Sequence, residues 1–263
     1  MQFIKNNYSF YEENSCFEVS LKSIIGTREE QQDSATVSLN FDNGIITVCD
    51  GMGGHNGGKL ASSIAAENMV EKFNKRPQNA DIPSTFLNIL DILDSEVMNL
   101  KNSDGILMKA GTTLVSAFLE KRHIYWASVG DSRIYIIRGD EMVQVTKDHN
   151  YKFRLDDLLA QNKISSQEYK EKIVDGEALI SFIGVGGLEL VDINAEPFTL
   201  YPDDKILLTT DGLYKALNEQ SILKIISNFS NIKEAAEALV KKAQRTTKGS
   251  SLDNTTIALI RIK

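Results

Sequence analysis

Runs of β-branched and aromatic residues along this chain are interleaved with segments whose apolar positions recur every three or four residues. Strand-type runs cover residues 17–25, 35–39, 45–49, 113–119, 124–129, 134–137, 206–210 and 255–262. Helical spacing is clearest over 84–100, where Phe86, Leu87, Leu90, Leu93, Val97 and Leu100 fall on one stripe. Similar patterns predict helices over 60–73 and 232–243. Strands and helices do not alternate one for one. The strands come in groups, such as 113–119, 124–129 and 134–137, joined by short turns at 120–123 and 131–133. This grouping points to an α+β fold of antiparallel sheets with helices on their outer faces, not to a doubly wound parallel sheet. The segment 151–177 breaks the pattern, being polar and charged with only short helical signals. It reads as an inserted flap, spanning about 151–183.

Composition narrows the picture. The 263 residues contain only four prolines and no Ser/Gly linker, low-complexity tract or fixed-period repeat, which favours a single domain over 1–263. A net charge of −7 argues against nucleic acid or an anionic membrane as the main partner. No apolar run reaches the about 18 residues that a membrane span needs. The first twenty residues carry Glu12, Glu13 and Glu18 and lack the apolar stretch of a signal peptide. Cys16 and Cys49 are too few for a disulfide framework, so a reducing cytoplasm is the expected compartment.

The candidate chemistry lies in the aspartates. Asp50 directly follows the run 45–49, Asp211 directly follows 206–210, and each precedes a glycine. Asp131 closes the strand 124–129, while Asp33 and Asp253 stand just before strands. Antiparallel neighbours place the end of one strand beside the start of the next, so these five carboxylates could meet at one edge of the fold. Oxygen ligands without His or Cys suit the hard cations Mg²⁺ and Mn²⁺. Asp-Gly after a strand is also ordinary turn chemistry, and position alone leaves both readings open.

Motifs break the tie. Arg28-Glu29-Glu30-Gln31-Gln32-Asp33-Ser34, Asp50-Gly51-Met52-Gly53-Gly54-His55, Gly111-Thr112-Thr113, Gly130-Asp131-Ser132-Arg133, Asp211-Gly212-Leu213 and Asp253-Asn254 occur in that order. Together they resemble the metal-dependent protein phosphatases of the PP2C (PPM) family, in the form used by its bacterial branch. The resemblance implies a sandwich of two antiparallel β-sheets flanked by helices. It implies two Mn²⁺ or Mg²⁺ ions, with a third held more weakly, and hydrolysis of phosphoserine and phosphothreonine esters by a water shared between metals. It further implies that Asp50 bridges the two ions and that the Gly51 carbonyl ligates one of them. Asp211 and Asp253 hold the other, Asp33 acts through ordered water, and Asp131 shares a third ion with Asp211. Arg28 grips the substrate phosphate, for which its guanidinium fork is suited. The implied partners are phosphorylated proteins and an opposing Ser/Thr kinase. Loss of activity, leaving a binding or regulatory module on the same scaffold, is the alternative.

Other features invite blander readings. His55 is a candidate proton donor or a loop-ordering residue. His123 and His149 lack ligand spacing and read as solvated or capping side chains. Cys49 and Trp126 read as core residues. The stretch from Gly53 to Lys59 approaches a phosphate-binding loop, but Leu60 stands where the metal-binding hydroxyl is required. In the flap, the segment 174–184 departs from the usual family pattern, and no residue there is assigned a role.

Overall fold

Strand β4 (Asn43–Gly53) shows why the sheets of this protein read as continuous apolar runs. Ile46 and Val48 point into one buried core, while Ile45 and Cys49 point into another. A sheet covered on both faces has no wet side, so the polar alternation of a half-exposed strand disappears. The computed structural model describes residues 7–54, 56–247 and 249–263.

One sheet contains β1 (Asn7–Glu13), β2 (Phe17–Ile24), β13 (Thr255–Ile262), β12 (Lys205–Thr209), β8 (Arg133–Arg138) and β9 (Glu141–Gln144), in that spatial order. The other runs β10 (Asp192–Ile193), β7 (His123–Val129), β6 (Leu114–Glu120), β4 and β3 (Asp33–Leu39). Two short strands extend it, with β11 (Phe198–Thr199) on β7 and β5 (Ala110–Thr112) on β4. Every pairing in both sheets is antiparallel.

The two sheets face each other across a core that includes Phe17, Val19, Val48, Val115, Ile134 and Ile260. Helices α1 (Gly57–Asn74) and α2 (Ile82–Met98) cover the outer face of the β4 sheet through Met69, Phe73, Phe86 and Leu90. Opposite them, α5 (Asp211–Tyr214), α6 (Glu219–Ser227) and α7 (Ile232–Thr246) cover the other sheet through Leu213, Ile222 and Leu239. Full burial of each such side chain contributes on the order of 1.5–3 kcal/mol. The expected sandwich with helical outer layers is therefore the fold observed.

Differences from the sequence reading are local. Strand β4 runs on through Asp50 and Gly51, so these residues are held by a ladder and do not sit in a turn. The sequence does not predict edge strands β1 and β9, which bury no side chain fully, or helix α6, which is only nine residues long. Within the flap segment lie α3 (Tyr151–Ala160) and α4 (Ser166–Lys172), the latter opened by a reciprocal capping box between Ser165 and Glu168. The chain re-enters the body at Ile183, which bridges to Thr112.

Candidate active site

The seam between the two sheets ends in a cleft of about 650 Å³ whose wall includes Arg28, Asp50, Gly51, Met52, Asp211 and Asp253. Each aspartate arrives there by strand geometry. Asp33 opens β3 and is the direct cross-strand partner of Asp50. Asp211 follows β12 as the first residue of α5, and Asp253 precedes β13, the antiparallel neighbour of β12. Asp131 lies in the turn between β7 and β8. Asp33 and Asp131 are not on the cleft wall and are only 2% and 6% exposed.

These carboxylates feel one another. Burial, followed by the charges of Asp211 and Asp253, pushes Asp33 up to about 8. Burial and the charges of Asp33, Asp211, Asp131 and Asp253 raise Asp50 well above the usual carboxylate range. Asp131 rises to about 6 through burial and the Asp211 charge, partly countered by Lys215. Two buried oxygens in the cluster, Asp33 Oδ1 and Asp211 Oδ1, have no hydrogen-bond partner. Unpartnered carboxylate oxygens at the meeting point of several negative charges fit a divalent cation, and an all-oxygen donor set fits Mg²⁺ or Mn²⁺. No three acidic, histidine or cysteine side chains among the described residues already close into a cage. Instead Asp253 Oδ2 accepts from Arg28 Nη2 at 2.6 Å, and Asp211 Oδ2 accepts from Lys215 Nζ at 2.6 Å.

The supporting contacts are polar and buried. Thr210 Oγ1 donates to Asp33 Oδ2 at 2.9 Å and accepts from the Thr256 N–H at 2.9 Å. The backbone N–H of Asp50 donates to Thr113 Oγ1 at 3.0 Å, while its carbonyl accepts from the Thr113 N–H and from Thr112 Oγ1, each at 2.8 Å. Asn254 pins the loop that carries Arg28: its Oδ1 accepts from the Gln32 N–H, and its Nδ2 donates to the carbonyls of Ile25 and Glu30. Gly51 admits no side chain, since a Cβ there would lie 2.1 Å from the Gly58 carbonyl oxygen.

Comparison with known proteins decides the family. The sequence matches the profile of Protein phosphatase 2C over residues 22–245. The chain belongs to the protein phosphatase 2C family. It is 30% identical to the serine/threonine phosphatase stp of Listeria innocua over 240 residues, covering 89% of this chain and 90% of that one. The Streptococcus agalactiae serine/threonine phosphatase shares its fold with a TM-score of 0.80 at 24% identity, over 94% of this chain and 100% of the other. The catalytic domain of the serine/threonine protein phosphatase PstP in complex with two manganese ions aligns with a TM-score of 0.69 at 21% identity, covering 94% and 98%.

Within this protein phosphatase 2C chain, several positions have surroundings that the sequence did not disclose. His149 was read as solvated or capping but is 3% exposed, and burial lowers its basicity. Its Nδ1 accepts from the Gly130 N–H, and its backbone N–H donates to the Gly130 carbonyl, which fixes the turn before Asp131. Asp94 on α2 accepts from the backbone N–H groups of Gly184, Gly186 and Gly187, clamping the loop that follows the flap. An acidic residue on a helix gives no local hint of partners ninety residues away. His123 is exposed and Cys49 is buried in the core, as expected. His55 lies outside the described residues.

Proposed function

We propose that this member of the protein phosphatase 2C family hydrolyses phosphoserine and phosphothreonine esters of proteins with the help of Mn²⁺ or Mg²⁺, opposing a Ser/Thr kinase in the cytoplasm. The observation that carries the reading is the pair of buried, unpartnered oxygens on Asp33 and Asp211 within a cluster of mutually repelling carboxylates. Asp50, the Gly51 carbonyl, Asp211 and Asp253 are the groups that would hold two cations, with Asp131 and Asp211 available to a third. When bound, such ions supply the Lewis acidity that makes water nucleophilic near neutral pH and offsets charge on the phosphoryl oxygens.

The protein's own groups do the rest. Thr112 and Thr113 fix the Asp50 backbone, which holds Asp50 and Gly51 on the cleft wall in a set relation. Thr210 holds one oxygen of Asp33, leaving Oδ1 free to orient a water. Arg28 stands half-exposed at the cleft, where its guanidinium can leave Asp253 for the dianionic phosphate and bind it through two parallel N–H groups. No helix among the described residues is long and apolar enough to cross a membrane, and we read the chain as one domain.

The test is phosphate release from a phosphothreonine peptide by the purified chain with millimolar Mn²⁺. The reading predicts turnover that EDTA abolishes and that Asp211→Asn removes while the circular dichroism spectrum is retained. A folded, Mn²⁺-saturated protein without turnover on any phosphoserine or phosphothreonine peptide would overturn it.

A further inference from the structure

Lys215 is a basic side chain placed against the carboxylate cluster, and the reading above gives it no task. It follows Asp211 by four residues, across the single turn of α5, and its ammonium donates to Asp211 Oδ2 at 2.6 Å. The contact divides the Asp211 carboxylate, leaving Oδ1 as the buried oxygen without a partner. Two further acids lie within electrostatic reach of the same ammonium: Asp131 in the β7–β8 turn and Glu177 in the flap.

The tether holding that cation is stiff. Tyr214, the residue before Lys215, donates its hydroxyl to the Asp131 carbonyl at 3.0 Å. The Arg133 guanidinium lies over the Tyr214 ring, 3.6 Å from its centre, and binds Asp148 through two N–H groups at 3.0 and 2.6 Å. Helix α5 and the Asp131 turn are thereby joined, which sets the backbone of Lys215 beside the acids its ammonium faces.

We propose that Lys215 is a resident, covalently tethered cation of the outer carboxylate pair Asp131–Asp211, which a divalent ion must displace to bind there. The inference rests on the metal-dependent reading given above and adds to it. The chain holds two divalent ions firmly, and its third position is weakened by its own side chain. The physical ground is charge count: an oxygen site's affinity for a divalent ion follows the net negative charge it presents, and an ammonium at hydrogen-bond distance cancels one unit.

Binding of Mn²⁺ itself, measured without substrate, tests this. The full chain, Lys215→Met and Lys215→Arg are titrated with Mn²⁺ by equilibrium dialysis, with electron paramagnetic resonance counting the free ion. Lys215→Met is expected to hold its weakest ion about tenfold more tightly or to gain one ion. Lys215→Arg should behave as the parent does, and two tight ions should remain bound in all three. Lys215→Gln serves for the same comparison if the methionine variant does not fold. Tight ions retained with an unaltered weakest constant in the neutral variant would overturn the role of Lys215 alone. Absence of any tight Mn²⁺ in the parent would instead overturn the metal-dependent reading, and this inference with it.

Discussion

Asp33 and Asp50 face one another as cross-strand partners in the β3–β4 ladder, a register that sets their Cβ atoms about 5 Å apart. Like charges directly opposite destabilise a sheet, so this pair costs stability unless protons or cations neutralise it. Burial and neighbouring charges push Asp33 up to about 8 and Asp131 up to about 6, from 3.8 for an unperturbed aspartate. Across that interval these two groups hold more protons in the folded chain than in the unfolded one, so their contribution to stability falls as pH rises from about 4 to 8, with the lowered His149 opposing them only in part. Thermal melts in EDTA should therefore show a midpoint that declines over this range. Saturating Mn²⁺ should reverse the trend, since a ligand at 100 times its Kd adds about 2.7 kcal/mol. A chelated protein whose midpoint climbs toward pH 8 would contradict the account.

Gly58→Ala probes the Gly51 carbonyl without touching an acid. A Cβ at 58 would lie 2.8 Å from the Gly51 carbonyl carbon and 2.9 Å from its oxygen. Alanine near the start of α1 would otherwise favour the helix by up to about 1 kcal/mol. The expected outcome is a well-folded variant whose Mn²⁺ affinity and kcat drop tenfold or more, read by calorimetry and steady-state kinetics.

Thr210→Val should weaken Mn²⁺ binding about 10–100-fold, the range for losing a hydrogen bond that orients a ligand. It also strands the buried Thr256 N–H, at a cost of about 1–3 kcal/mol in a denaturant titration. Thr210→Ser restores both hydrogen bonds and should recover affinity and stability together.

Arg28→Ala is expected to raise KM for a phosphopeptide by tenfold or more. Its ion pair with Asp253 is half-exposed, and such pairs contribute about 0–1 kcal/mol, so the melting midpoint should barely move. Arg28→Lys should recover only part of the loss, because an ammonium lacks the fork.

Asp94→Ala removes the acceptor for three N–H groups of the loop 184–187. A loss of about 2–4 kcal/mol in urea unfolding is expected, since hydrogen bonds to a charged acceptor are the stronger kind. Because Ile183 bridges to Thr112, which holds the Asp50 carbonyl, turnover should fall at temperatures where the variant is still folded.

The core strands and the amphipathic helices were legible because burial stamps a local period on the sequence. Asp33, Asp211 and Asp253 were legible for a related reason, since each sits at a strand end or beside one within a recognisable motif, whereas Asp50 lies inside β4 and was legible from its Asp-Gly motif. What escaped was decided by residues far apart in the chain. His149 looks like a polar loop residue until Gly130 and the backbone of Ile180 close over it. Lys215 reads as an ordinary surface charge, and only the fold of α5 against the β7–β8 turn brings its ammonium to two aspartates. Strand β1 is an edge strand with alternating half-exposed residues, a pattern too faint to predict.

The hydroxyl of Thr210 at the end of β12 and the carboxylate of Asp33 at the start of β3 join one sheet to the other. A cation seated among acids from both layers would act as a rivet through the sandwich. Loading it should slow amide exchange in β3 and β13 together, making catalytic competence a gauge of whether the layers have slipped.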